Sequence, residues 1–288
     1  MTQSPSGEGA SDGPVAHESV SRQGRQQARQ REITEAVMAA GAIRIETLAE
    51  RFGISVMTVH RDLDELEGRG LLRKSRGVAT ALSSALVESS DVYRQSRQLS
   101  EKDAIARAAL EFIEPGQAIM LDDSTTTMQL VPMLHAKTPL TVITNTLTIM
   151  DELRGARGIT LLSVGGQYYN WCSAFMGRMA VQAVATLRAD VFVMSTSAIT
   201  DDIAFHQTLE TVDIKKAMFD AASRRILLAD HTKFDKRALH ALLPLSDFDA
   251  VIVDADTAPV HVRRLRKAGI EVIVARRGAK GGRDESAT

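Results

Sequence analysis

Apolar residues between positions 24 and 80 recur at helical spacing and are broken by glycines. Residues 24–40 carry Ile33, Val37 and Met38 along one side, and Gly41 follows. Leu48, Ala49 and Phe52 share the face of a shorter helix that Gly53 can end in the left-handed conformation. Ser55 then stands where an N-cap belongs, ready to accept from a backbone N–H near Met57 or Thr58. Val56, Val59, Leu63 and Leu66 follow at spacings of three and four, the buried stripe of an amphipathic helix, with Ile54 packing back into the same core. Met57, Thr58, His60, Arg61 and Asp64 take the opposite face, and Gly70 stops the helix. Ala42–Ile45 reads as a short strand, and Leu71–Leu72 begins another that leads into Arg73, Lys74, Ser75, Arg76 and Gly77. Helix, turn, helix and basic hairpin together outline a small winged helix-turn-helix domain.

The pattern changes after position 100. Glu101–Phe112 reads as a helix with Ile105, Ala109 and Phe112 on one side, closed by Pro115-Gly116. Short apolar runs then alternate with helix-like segments. The expected strands are Ala118–Leu121, Leu140–Thr144, Thr160–Val164, Val191–Met194, Arg225–Ala229, Ala250–Val253 and Glu271–Val274. Continuous runs such as Val251-Ile252-Val253 suit strands buried on both faces of a parallel sheet. The expected fold is therefore an α/β domain with an open, mostly parallel sheet behind the winged head. Such sheets bind ligands at the carboxyl ends of their strands.

At 288 residues the chain has room for two domains. The reading assigns residues 1–23 and 277–288 to disordered tails and 24–80 to the winged head. Residues 81–99 become a linker, and 100–276 the second domain. No apolar run is long enough to span a bilayer, and the first residues lack the apolar core of a signal peptide. No membrane partner is expected. A single cysteine, Cys172, excludes an internal disulfide and suits a reducing cytoplasm. It has no basic neighbour to activate it, so a buried, inert thiol is expected.

The net charge of −1 identifies no partner. Across residues 25–80 Lys and Arg outnumber Asp and Glu by only two, so charge alone does not separate a DNA-binding surface from a solvated helical pair. Distribution says more, because Arg69, Arg73, Lys74 and Arg76 cluster in the wing without an intervening acid. On this reading Ser55, Met57, Thr58, His60 and Arg61 approach base edges, while Arg73, Lys74 and Arg76 hold phosphates.

The residues just past the strands form a second set. They are Asp122, Asp123 and Ser124 to Thr127, then Asn145-Thr146, Gly165-Gly166, Ser195 to Ser197, Asp230 to Lys233, and Asp254. Carboxylates and Asn145 suit sugar hydroxyls, whereas hydroxyls and backbone N–H groups suit a phosphate. Each also has a plainer reading as an N-cap or a turn; their convergence on one sheet edge favours a ligand. There is no Walker A, GxGxxG or HExxH motif and no Cys/His pairing, so no metal or other cofactor is expected.

Both halves resemble one family, the DeoR-type bacterial sugar-responsive regulators. In the head the resemblance rests on Leu48-Ala49, Phe52, Ile54-Ser55, Thr58 through Leu63, Leu66, Gly70, Leu72 and Arg76-Gly77-Val78-Ala79. His60 replaces a family arginine, and Arg76 and Val78 replace a histidine and a glycine of the wing. From about Ser100 to Ala275 it rests on Leu121 through Thr126, Thr144-Asn145, Gly165-Gly166, Lys215-Lys216-Ala217-Met218 and Asp230 through Phe234. Ser124 replaces a family glycine, and Asp123 adds a carboxylate beside the expected phosphate cradle.

The resemblance implies an effector-sensing domain of the ribose-phosphate isomerase and coenzyme A transferase fold. It also implies a transcriptional regulator without enzyme activity: a cytoplasmic homo-oligomer (dimer or tetramer) on double-stranded operator DNA. The expected function is repression of carbohydrate-metabolism genes, released by a sugar-phosphate effector. Effector-binding residues are expected at Asp122, Ser124, Thr125, Thr126, Asn145, Gly165, Gly166, Asp230 and Lys233. An unphosphorylated sugar or sugar acid is the alternative effector. An isomerase-like enzyme using Asp122 or Asp230 with Lys233 is the alternative function.

Overall fold

A computed structural model describes residues 16–40, 42–69, 72–81 and 94–276. The expected tail 277–288, the residues before Ala16, Gly41, Gly70-Leu71 and residues 82–93 lie outside the described residues, as does the side chain of Met38. Contacts divide the chain into a unit of residues 1–68 with 72–81, and a second of 69–71 with 82–288.

In the first unit, helix α1 (Ala16–Ala40) begins at Ala16 rather than Gly24, so part of the expected N-terminal tail is helical. Strand β1 (Ala42–Arg44) leads into α2 (Ile45–Phe52), which ends at Gly53 with φ 62°. There the N–H groups of Gly53 and Ile54 return to the carbonyls of Glu50 and Ala49. Helix α3 (Val56–Gly68) follows, and Thr58 N donates to Ser55 Oγ at 3.2 Å, the expected cap. Val59, Leu63 and Leu66 are buried, but Val56 is 42% exposed. The apolar stripe therefore starts one turn later than its spacing suggests. Asp62 fills the remaining buried position of α3, at 1% exposure. It accepts from Arg29 Nε and Nη2 at 2.6 and 3.1 Å, a two-pronged pair that fastens α1 to α3.

Strands β2 (Leu72–Ser75) and β3 (Val78–Ala81) form the wing, and the sheet order is β1-β3-β2, antiparallel throughout. The turn places Arg76 and Gly77 at φ 48° and 75°, both left-handed, as a two-residue hairpin turn of matching twist requires.

The second unit is built on α4 (Leu99–Leu110), β4 (Ala118–Leu121), a 3-10 segment (Thr127–Lys137), β5 (Leu140–Thr144), α5 (Leu147–Leu153) and β6 (Ile159–Ser163). The hairpin β7 (Gln167–Tyr169) and β8 (Ala174–Met176), α6 (Arg178–Ala185) and β9 (Ala189–Ser195) follow. Next come β10 (Ala198–Thr200), β11 (Ile203–His206), α7 (Leu209–Asp220), β12 (Ala222–Ala229) and β13 (His240–Pro244). The unit closes with β14 (Ala250–Asp254), α8 (Pro259–Lys267) and β15 (Val272–Ala275).

The seven strands expected after position 100 pair into one seven-stranded sheet, order β15-β14-β12-β9-β4-β5-β6, with every pairing parallel. Strands β10, β11 and β13 form a small antiparallel sheet and β7–β8 a hairpin, none of which the sequence pattern announced. Alternate residues of the central strands feed two cores. Phe192, Met194, Leu227 and Val251 face α6, α7 and α8, whereas Val191, Val193, Ile226 and Ile252 face α4, α5 and the 3-10 segment. Cys172 is buried in the first of these cores. The chain leaves β4 outward through β5 and β6, then returns to β9 on the other side of β4. The loops after β4 and β9 therefore diverge, which opens a crevice at the carboxyl edge.

Candidate effector cavity and DNA-contacting face

Asp122 sits at that crevice, 1% exposed, and its carboxylate gathers donors from three elements. Oδ1 accepts from Ser124 N at 3.1 Å, Ser124 Oγ at 2.6 Å and Thr127 Oγ1 at 2.7 Å. Oδ2 accepts from Ser195 N at 2.9 Å, at the end of β9, and from Lys215 Nζ at 2.5 Å, reaching in from α7. Burial pushes the carboxyl up, but the Lys215 ammonium and these hydrogen bonds outweigh it and hold Asp122 below the usual carboxylate range. Asp123 Oδ1 lies 3.2 Å from the same ammonium, so the extra carboxylate meets an internal charge. The expected phosphate cradle of Ser124 to Thr127 thus has a protein carboxylate at its centre.

The other strand-end residues have varied surroundings. Thr126 is buried and opens the 3-10 segment. Asn145 Nδ2 donates to Phe175 O at 2.9 Å and ties β5 to β8. Gly165 is exposed, with open space where a Cβ would stand. At Gly166 a Cβ would meet Met176 O at 2.7 Å, a close backbone approach that requires glycine. Asp254, the last residue of β14, accepts from His231 N at 2.5 Å and lies 3.1 Å from His231 Nδ1.

Thr125, Asp230 and Lys233 come together around a cavity of about 330 Å³, lined also by Arg94, Arg97, Gln98, Lys102, Thr232 and Lys236. Five cationic side chains thus face one carboxylate, next to the N-terminal end of α4. Helix amides and the positive end of the helix dipole add to that field. Gln98, the residue before α4, holds φ 50°, a backbone strain of the kind found at ligand sites. Asp230 accepts from Thr232 N at 3.0 Å and from the Thr232 hydroxyl, and Lys233 Nζ lies 3.8 Å from its carboxylate. Burial raises its pKa, yet Lys233, Thr232, Lys236 and Lys102 outweigh burial and hold it low.

Lys102 is the buried cation of this cavity, at 3% exposure. Its ammonium donates to Thr125 Oγ1 at 2.9 Å and to the Arg94 carbonyl. Burial lowers its pKa to about 7, with the charges of Lys233, Arg94 and Lys236 acting in the same direction and Asp230 opposing them. A second anion inside the cavity relieves both effects. Sequence reasoning did not single out Arg94, Arg97, Lys102, Lys215 or Lys236 as site residues. A signal existed for two of them, since Lys102 shares a helical stripe with Ile105, Ala106 and Ala109, and Lys215 one with Thr211, Met218 and Phe219.

In the winged unit, Met57, Arg61, Arg73 and Arg76 are exposed, and Thr58 and His60 are half-buried. Lys74 pairs with Asp64 of α3, and its backbone N–H donates to Glu67 Oε1 at 2.9 Å. The wing cations with exposed side chains are therefore Arg73 and Arg76.

Residues 97–255 match the DeoR C terminal sensor domain, and residues 29–85 the DeoR-like helix-turn-helix domain. The transcriptional repressor AccR of Agrobacterium fabrum is 32% identical over 81% of this chain and 92% of its own length. The lactose phosphotransferase system repressor of Lactococcus lactis is 33% identical over 77% of this chain and 88% of its own. A solved ribose 5-phosphate isomerase from Plasmodium falciparum aligns at TM-score 0.34 and 14% identity, over 46% of this chain and 52% of that chain.

Proposed function

The chain belongs to the DeoR family of DNA-binding transcriptional regulators, and we propose that it represses carbohydrate-metabolism genes until a phosphorylated sugar fills the cationic cavity at its sheet edge. The observation that carries the effector assignment is the cavity itself. Lys102, Lys233, Lys236, Arg94 and Arg97 surround Thr125 and Asp230 at the head of α4. A dianion satisfies such a lining, and Asp230 with Thr125 can take sugar hydroxyls. A relative named for lactose phosphotransferase repression is in keeping with a phosphorylated sugar. A free sugar adds no negative charge to a lining of five cations and one carboxylate, which favours the phosphorylated effector over the unphosphorylated alternative. For the isomerase alternative Asp122 is a poor base, because five donors already hold its carboxylate.

In this reading the protein works as a homo-oligomer on double-stranded operator DNA, in the cytoplasm where that DNA lies. Effector and operator then oppose one another through a coupling of about 1–3 kcal/mol, equal in both directions. No helix among the described residues is long and apolar enough to cross a membrane.

The test is operator affinity measured against a panel of sugar monophosphates, the free sugars and sugar acids. A monophosphate is expected to weaken DNA binding by roughly 5- to 150-fold. Lys233→Met should abolish the response while leaving DNA binding intact, and Ser124→Ala should keep the response. A response to free sugar that survives Lys233→Met would overturn the assignment.

A further inference from the structure

The outward face of α3 begins with hydrocarbon. Val56 is 42% exposed and Met57 70%, although both open the helix that the fold offers to DNA. The hydroxyls beside them are turned inward on each other, with Ser55 Oγ and Thr58 Oγ1 2.8 Å apart. One turn further, His60 is half-buried and Arg61 is exposed. Beyond them Asp64 is neutralised by Lys74. The face therefore runs from apolar to donor-rich to neutral along the helix axis.

Exposed methionine gains nothing from water, and in the major groove only thymine offers a matching group, its C5-methyl. We propose that Met57, backed by Val56, reads a thymine methyl in the stretch of operator under each head. Arg61 donates to a base edge or phosphate beside it. At 1.5 Å of rise per residue, Met57 and Arg61 are about 6 Å apart along the axis. That is about two base steps of 3.4 Å, so both contacts fall within one short recognition element. With His60 in place of a second arginine, the apolar contact carries discrimination that a guanidinium fork would otherwise supply. The inference rests on the DNA-binding role of the head and goes beyond it to a base and an atom.

The experiment uses the full chain to select bound duplexes from a random pool, then replaces each thymine of the selected site by uracil. Wild-type protein is expected to lose about fourfold in affinity at one thymine per recognition element, the worth of one buried methyl group. Met57→Ala should bind the original site more weakly and be indifferent to that same replacement. Its thermal unfolding should match the wild type, since position 57 is exposed. The proposal fails if every uracil is tolerated by the wild type, or if Met57→Ala keeps the same fourfold sensitivity. Enrichment of no sequence at all would instead overturn the DNA-binding role on which it rests.

Discussion

Effector affinity should fall steeply above neutral pH, and Lys102 sets the slope. Its pKa is held near 7, by burial first and then by Lys233. A bound dianion restores the ammonium, so its pKa rises on binding and the complex takes up a proton. The sign follows: affinity is complete where Lys102 is already protonated, below pH 7, and declines as pH rises through that value. Between pH 6.5 and 8.5 the protonated fraction drops about 25-fold; loss of phosphate dianion at the acid end trims the net change to about twentyfold. At pH 8 binding should take up about 0.9 proton, measurable by titration calorimetry in buffers of different ionisation heat. The unliganded protein should behave oppositely. Its unfolded chain binds this proton up to pH 10.5 while the folded chain does not, so stability rises with pH across that window. Lys102→Met should flatten both profiles. An affinity constant within twofold from pH 7 to 8.5, or no proton uptake, would refute the reasoning.

The remaining expectations concern the charges that hold each unit together. Lys215→Met strands two buried carboxylates and should cost about 3–5 kcal/mol in denaturant unfolding of the sensor unit; a loss under 1 kcal/mol would show that the pair is not structural. The stability that Asp122 contributes is present above pH 3.8, its unfolded value, and is lost as pH falls through its lower folded value; acid unfolding of Asp122→Asn should lack that component. Asp62→Ala removes both prongs from Arg29 and should destabilise the head by about 2–3 kcal/mol, read as loss of DNA binding at lower temperature. Arg76→Asn relieves a left-handed arginine and should raise head stability by about 1 kcal/mol, while the slope of log affinity against log salt shrinks by about one unit.

Sequence made the main sheet legible because each of its central strands is buried on both faces, which leaves continuous apolar runs such as Val251 to Val253. The strands β7, β8, β10, β11 and β13 carry mixed patterns, since they pair outside that sheet and expose residues such as Tyr168. Val56 misled because periodicity extends a stripe to the end of a helix, whereas burial stops where the neighbouring helices stop. The polar strand ends were visible as a set, but not which of them faced a ligand. Asp122, Ser124 and Thr127 satisfy one another, an arrangement only three-dimensional proximity to Ser195 and Lys215 completes. Arg94 and Arg97 stood in a stretch that reads as linker, and nothing in their spacing ties them to Lys233.

The placement of the effector's charge is decided by which carboxylates are already present. A phosphate seated against the Ser124–Thr127 loop would approach the Asp122 carboxylate, whose two oxygens take the loop's own donors. Two unit charges 4 Å apart in a protein environment interact by about 4 kcal/mol, and a dianion doubles the repulsion. Lys215 offsets one carboxylate of the Asp122-Asp123 pair and leaves the other, so the cluster repels an incoming anion. In the neighbouring cavity Asp230 is the one acid among five cations, and Thr125 lies between the two regions with its hydroxyl on Lys102. The β4 loop therefore acts on the effector through Thr125 at its outer edge, while its inner residues lock β4, β9 and α7 together. A ligand drawn to Lys102 and Lys233 thus binds beside that charge cluster, with Thr125 the residue of the β4 loop that lines the cavity.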